Sequence, residues 1–259
     1  MILHRISEHI KSQNWFAVTV EFVIVVLGVF MGLQVQDWNE ARKERIEESE
    51  LLVRLYEETQ SLLAVQNEEL LELRARSDVL MGANPVLFSQ APARALSGLE
   101  CEHVASSHVF RRPPDELPVL DEMFATGKFD LLRDKVVKEQ LRSYVLLRGR
   151  GRAYYQEATN ELFRLHSRFP DLITIGRVPM EDSYVGRWSR LTGEGFRWDP
   201  VCDVEKIRTS KAFLNEYVDN LSRIGSLIQF TEQRQAHLAV LESALSERIK
   251  FDSMARKEN

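Results

Sequence analysis

Phe22-Val-Ile-Val-Val-Leu-Gly-Val-Phe-Met-Gly-Leu33 is a run of twelve residues without a polar side chain. Extended to Phe16 and Val35 it becomes 20 residues, interrupted only by Thr19, Glu21 and Gln34. At the α-helical rise this is ~30 Å, about the hydrocarbon thickness of a bilayer. Trp15 and Trp38 bracket the run at the level where indole rings prefer to sit. Gln34-Val35-Gln36-Asp37-Trp38 follows it, with no small-x-small cleavage site, so the segment reads as an uncleaved signal anchor over residues 15–38. Residues 1–14 place Ile2, Leu3, Ile6 and Ile10 at helical spacing among His4, Arg5, Glu8 and Lys11, the pattern of an amphipathic helix lying in the interface.

Two features lie inside the span. Gly28 and Gly32 form Gly-x-x-x-Gly, which permits close approach of two helices in lipid, although glycine is also common in membrane helices generally. Glu21 is an intramembrane carboxylate. Such a group faces a partner, serves a proton path, or reaches the headgroups, and its place six residues past Trp15 leaves all three readings open.

Beyond Trp38 the sequence turns to dense charge with helical periodicity. Leu52, Leu55, Tyr56, Leu62, Leu63, Leu70, Leu73, Leu80 and Met81 mark an apolar stripe, with no Pro or Gly before Gly82 and a stop expected at Asn84-Pro85. The membrane helix is therefore expected to continue as a stalk over 39–81. A second long amphipathic helix is expected over 210–250, with Ser210 as N-cap and Phe213, Leu214, Tyr217, Val218, Leu221, Ile224, Ile228, Leu238, Leu241, Leu245 and Ile249 apolar. Two helices of similar length suggest an antiparallel pair. That would return Lys250, Arg256 and Lys257 towards the membrane surface, to anionic headgroups or as a solvated tail. Middle helices are expected over 115–168: a short one ended by Gly127, then a long one from Arg133 to Arg168 weakened at Gly149 and Gly151. Residues 169–209 read as irregular, with a short strand at Leu172–Ile175 and a loop or hairpin at Gly186–Asp199. The fold class is mainly all-α, an anchored antiparallel bundle with a small irregular or short-strand insertion.

The composition limits function. A net charge of −5 argues against a general nucleic-acid binder. Cys101 and Cys202 are the only cysteines, too few for a disulfide-dense scaffold. One bridge between them would suit an oxidising compartment and close a loop of roughly 100 residues. Two free thiols in a cytoplasmic domain is the competing reading; a metal reading through Cys101-x-His103-x4-His108 departs from zinc-ligand spacing. Charges flanking the span are balanced, so the cysteines carry the orientation: N-terminus cytoplasmic, bulk periplasmic. Metalloprotease, nucleophile-elbow, phosphate-loop and dinucleotide signatures are all missing. Arg148, Arg150 and Arg152 form a local basic cluster, an anion site or, since alternate positions do not share one helix face, a solvated surface; His166 and His237 read as surface or structural residues. No catalytic, cofactor-binding or metal residue is assigned, and no enzyme is expected.

Glu21, the glycine-spaced apolar run and Gln34-Val35-Gln36-Asp37-Trp38-Asn39-Glu40 resemble the opening of a widespread family of bacterial proteins classed as a domain of unknown function. Phe124-Ala-Thr-Gly127, Asp130-Leu-Leu132 and Leu141-Arg-Ser-Tyr144 are similar to a second motif of that family, while Gln36-Asp37 departs from its Asn-Asn. The resemblance implies an anchored helical protein of the bacterial inner membrane and brings no activity. The expected function is a membrane-anchored interaction or scaffold protein. It would self-associate or serve as an accessory subunit, with the bilayer and another membrane protein or a second copy as partners and no nucleic acid. The alternative is an extracytoplasmic module that binds a small ligand.

Overall fold

The computed structural model describes residues 15–179 and 196–255. The segment 1–14, expected as an interfacial helix, lies outside the described residues, as do 180–195 and Arg256 and Lys257 at the carboxyl end. The protein is mainly helical, with one two-stranded sheet among the described residues. In chain order the elements are α1 Trp15–Leu87, α2 Gly98–Ala105, α3 Pro118–Thr126 with a 3-10 turn Lys128–Leu131, α4 Lys135–Asn160, α5 Leu165–Arg168, β1 Ile173–Pro179, β2 Phe196–Cys202, α6 Val204–Thr209 and α7 Lys211–Ala255. The chain divides into two units, residues 1–52 and 53–259.

In the second unit the three long helices meet along a seam of alternating three- and four-residue steps. On α7 the buried positions are Phe213, Tyr217, Asn220, Ile224, Leu227, Thr231, Arg234, Leu238, Leu241 and Leu245. On α4 they are Val137, Leu141, Tyr144 and Arg148, and on α1 Leu55, Thr59, Leu62 and Gln66. The pairing of α1 with α7 is antiparallel, as expected. Gln60 bonds Glu242, Asn67 bonds Gln235, Arg74 bonds Glu232 at 2.6 Å, and the Tyr217 hydroxyl donates to Asn84 at 2.8 Å. Numbers rise on one helix as they fall on the other. Helix α4 also runs antiparallel to α7, through His237 against the Gln140 carbonyl and Arg223 on the carbonyls of Ala158 and Glu161.

The seam differs from the expected stripes in a way that matters later. Leu214, Leu221 and Ile228 are half-buried flanks, while Val218 and Met81 are exposed. The true heptad line passes through Asn220, Thr231 and Arg234, polar residues that an apolar count skips.

Helix α1 runs past Asn84-Pro85 to Leu87, because Pro85 sits in the last turn and deletes only one donor. The carbonyls of Asn84 and Pro85 then accept from Phe88, Gln90 and Ala91, and Ser89 turns the chain at φ 60°. The helix expected from Arg133 to Arg168 is two helices. Asp134 caps α4 by accepting from Val136 and Val137, the chain leaves the helix at Glu161, and α5 restarts at Leu165. Gly149 and Gly151 lie within α4, which continues through both. Gly127 ends α3 with φ 73°, a conformation that a Cβ would strain.

The region 169–209 is more regular than expected. Strand β1 extends to Pro179 and pairs antiparallel with β2, Ile173 opposite Cys202 and Pro179 opposite Phe196, so residues 196–199 are strand. Helices α2 and α6 are additional. The α2 N-terminus is a capping box in which Ser97 and Glu100 satisfy each other's backbone N–H. These elements close a core of Leu80, Ala83, Leu87, Val104, Ile207 and Phe213 at one end of the bundle.

Candidate functional site

Three features carry the functional argument. The first is the apolar stretch of α1. Among the described residues it is the one helix long and apolar enough to cross a membrane, and none of its apolar window is buried. Phe22, Ile24, Val25, Val29, Phe30 and Met31 are all about 60% or more exposed. Trp15 begins the helix; Trp38 is exposed, with the Arg42 guanidinium over its ring at 5.9 Å. Glu21 is exposed, and open space surrounds the positions where Gly28 and Gly32 would carry a Cβ. Nothing in the first unit fills the notch that the two glycines make.

The second feature is a buried layer of charge in the bundle. Asp115 is fully buried in the segment before α3. Its carboxylate accepts two bonds from Arg152 Nε and one at 2.6 Å from the Arg152 terminal nitrogen, and Arg234 stands 3.7 Å away. The Tyr144 hydroxyl donates to the Asp115 backbone carbonyl at 2.8 Å, and Gln66 donates to the Pro114 carbonyl at 2.7 Å. Beside it Arg148 forks onto Asp121, at 2.6 and 3.1 Å. Burial alone would raise the Asp115 carboxyl; the bonds from Arg152 and the charges of Arg152, Arg234 and Arg112 outweigh it and hold the group below the usual range. Burial pulls Arg234 down, and Asp115 opposes that.

This layer corrects the reading of Arg148, Arg150 and Arg152 as one solvated cluster. Arg148 and Arg152 are four apart and share the inward face, whereas Arg150 points outward. Gln66, Arg148 and Arg234 sit at seam positions of three different helices, so an axial slip of any one sets a charge or a polar amide against apolar side chains. The layer opposes slippage in register; Asp115 at its centre is fully buried, while Asp121 and Arg152 reach the surface.

The third feature is the bond between Cys101 and Cys202, whose Cα atoms are 5.8 Å apart. Neither cysteine is in an irregular stretch: Cys101 lies in α2 and Cys202 ends β2. The bond ties the sheet to α2 across a sequence separation of 101. Close by, His108 and His166 stand with ring centroids 5.6 Å apart, and His166 Nδ1 is 3.3 Å from the Ala105 carbonyl. Both rings line a cleft of ≈ 460 Å³ with Phe110, Tyr155, Leu162 and Arg164. Burial, with the charges of His166, Arg164 and Arg76, holds the His108 imidazole down to about 4. It is therefore neutral at neutral pH. His237 bonds a backbone carbonyl inside the bundle, a structural role.

Sequence reasoning missed the charge layer, although strict heptad counting from Phe213 lands on Asn220 and Arg234, and counting from Tyr217 lands on Thr231. It missed the cleft because its lining comes from three separate segments. No group of three or more His, Cys, Asp or Glu suited to a metal ion occurs among the described residues. Comparison with protein-family models, curated proteins and solved structures finds no match to this chain.

Proposed function

We propose that this protein is a single-span, membrane-anchored helical interaction protein of the bacterial inner membrane, with its N-terminus cytoplasmic and the bundle periplasmic. The observation that carries the reading is the exposure of the whole apolar stretch of α1 in a chain that buries its other long helices along a regular seam. Water is a poor solvent for such a surface, and a bilayer is a good one. The Cys101–Cys202 bond supports placement in an oxidising compartment. The Gly28/Gly32 notch and Glu21 support association within the membrane, with a second copy or with another membrane protein, since a carboxylate at this depth gains from a partner. The resemblance of residues 34–40 to the family of anchored bacterial proteins agrees with this assignment.

The test is the mass of the particle extracted in mild detergent, for the natural chain and for Gly28→Leu/Gly32→Leu. The proposal expects a discrete complex that the double substitution dissociates. A monomer in both cases contradicts it, and so does a complex of unchanged mass.

A further inference from the structure

Beyond anchoring, the cleft beside the disulfide has the chemistry of a ligand site. It lies between residues 108–110, the last turns of α4, and the segment leading into α5. Two of its polar groups are already committed: the Tyr155 hydroxyl donates to the Phe110 carbonyl at 3.2 Å, and the Thr159 hydroxyl donates to the Tyr155 carbonyl at 2.9 Å. Arg164 differs. Its backbone N–H bonds Leu162, but its guanidinium has no ion pair or side-chain hydrogen bond among the described residues. Arg94, Arg148 and Arg152, by contrast, are forked onto carboxylates. No carboxylate lines this cleft.

His108 adds an independent sign. The residue is only 8% exposed, and Nδ1 has no hydrogen-bond partner among the described residues. A buried polar atom left unpaired calls for a partner that the protein itself does not supply, a ligand atom or a water. The remaining walls, Val109, Phe110 and Leu162, are apolar.

We propose that this cleft binds a small organic monocarboxylate with an apolar body, the carboxylate on the Arg164 guanidinium and the hydrocarbon part against Phe110 and Leu162. The planar fork of guanidinium matches a carboxylate in a two-point contact, with the His108 and His166 rings beside it in the cleft wall. A phosphate dianion fits less well. It asks for several cations, whereas one arginine and two imidazoles line the cleft, and it gains nothing from three apolar walls.

Fluorine NMR of para-fluorobenzoate tests this, with the full-length chain in phosphatidylcholine nanodiscs and empty nanodiscs as the blank. The natural chain is expected to bind the probe saturably, para-fluorobenzyl alcohol is not, and Arg164→Gln weakens binding by ~10-fold or more. Arg164 is exposed, so the variant is expected to keep its fold, which an unchanged melting temperature verifies. Arg150→Gln, an exposed arginine of α4 outside the cleft, is expected to bind as the natural chain does. Any of four results overturns the proposal: no saturable binding, equal binding by Arg164→Gln, an equal loss in Arg150→Gln, or displacement of the probe by inorganic phosphate at matching concentration.

Discussion

Asp115→Asn is the most informative single perturbation of the bundle. The carboxylate is fully buried, and Arg234, whose side chain is 4% exposed, has no other carboxylate within ion-pair distance among the described residues. Substituting the amide keeps shape and volume but strands the Arg234 charge in the seam and halves the fork from Arg152. Removing one partner of a buried pair costs about 3–5 kcal/mol, because the survivor keeps its desolvation penalty without its compensation. For a domain of this size each kcal/mol is worth ~2–4 °C, so Asp115→Asn is expected to lower the melting temperature by about 10 °C. Circular dichroism of the full-length chain in mild detergent reads this directly. Asp115→Asn/Arg234→Gln removes both charges and is expected to recover part of the loss, giving a coupling energy in a double-mutant cycle. A melting point within ~2 °C of the natural chain, or strictly additive single substitutions, would refute the layer's role.

Two further outcomes follow from the geometry. Replacing Cys101 and Cys202 by Ser opens a loop with a sequence separation of 101, worth about 4 kcal/mol by loop-closure entropy; thermal melts with and without reductant should differ by ~10 °C in the natural chain and coincide in the variant. His108 sets an acid-side slope: its folded pKa of about 4 lies below the ordinary 6.5, so as pH falls through 6.5 the unfolded chain takes up the proton first. Stability should fall by about 3 kcal/mol between pH 6.5 and 4 and level off below, and His108→Phe should flatten that window. Glu100, held at about 2 mainly by its bond from Arg94, loses its contribution only below 4.5, so chemical denaturation across the two ranges separates the groups.

The fold was legible where periodicity governs it. The long apolar N-terminal helix, its continuation beyond Trp38 and the α7 helix follow from apolar spacing, and Ser210 and Gly127 act as the end signals their chemistry suggests. Legibility failed where tertiary contacts select among local options. Pro85 is tolerated because it falls in a last turn, a distinction of two residues. Helix α4 stops at Asn160 although the apolar pattern resumes at Leu162, because Phe163 and Glu161 use their carbonyls to hold Asn220 and Arg223 of α7. The Ser97-x-x-Glu100 capping box was present in the sequence as a helix start and marks α2. The charge layer hid behind its own polarity: Arg234 and Asn220 break an apolar stripe while keeping the heptad. The cleft at His108 had no linear signature, since Arg164 acquires meaning only from the other residues that line the cleft with it.

The central claim is that residues 15–38 hold a folded domain on the outer side of the inner membrane. Protease added to intact spheroplasts, followed by an alkaline carbonate wash, tests it in one step. The account predicts that the portion beyond Trp38 is accessible to cleavage while an N-terminal fragment stays in the washed membrane pellet. A full-length chain protected from the protease, or one released into the carbonate supernatant, would contradict it.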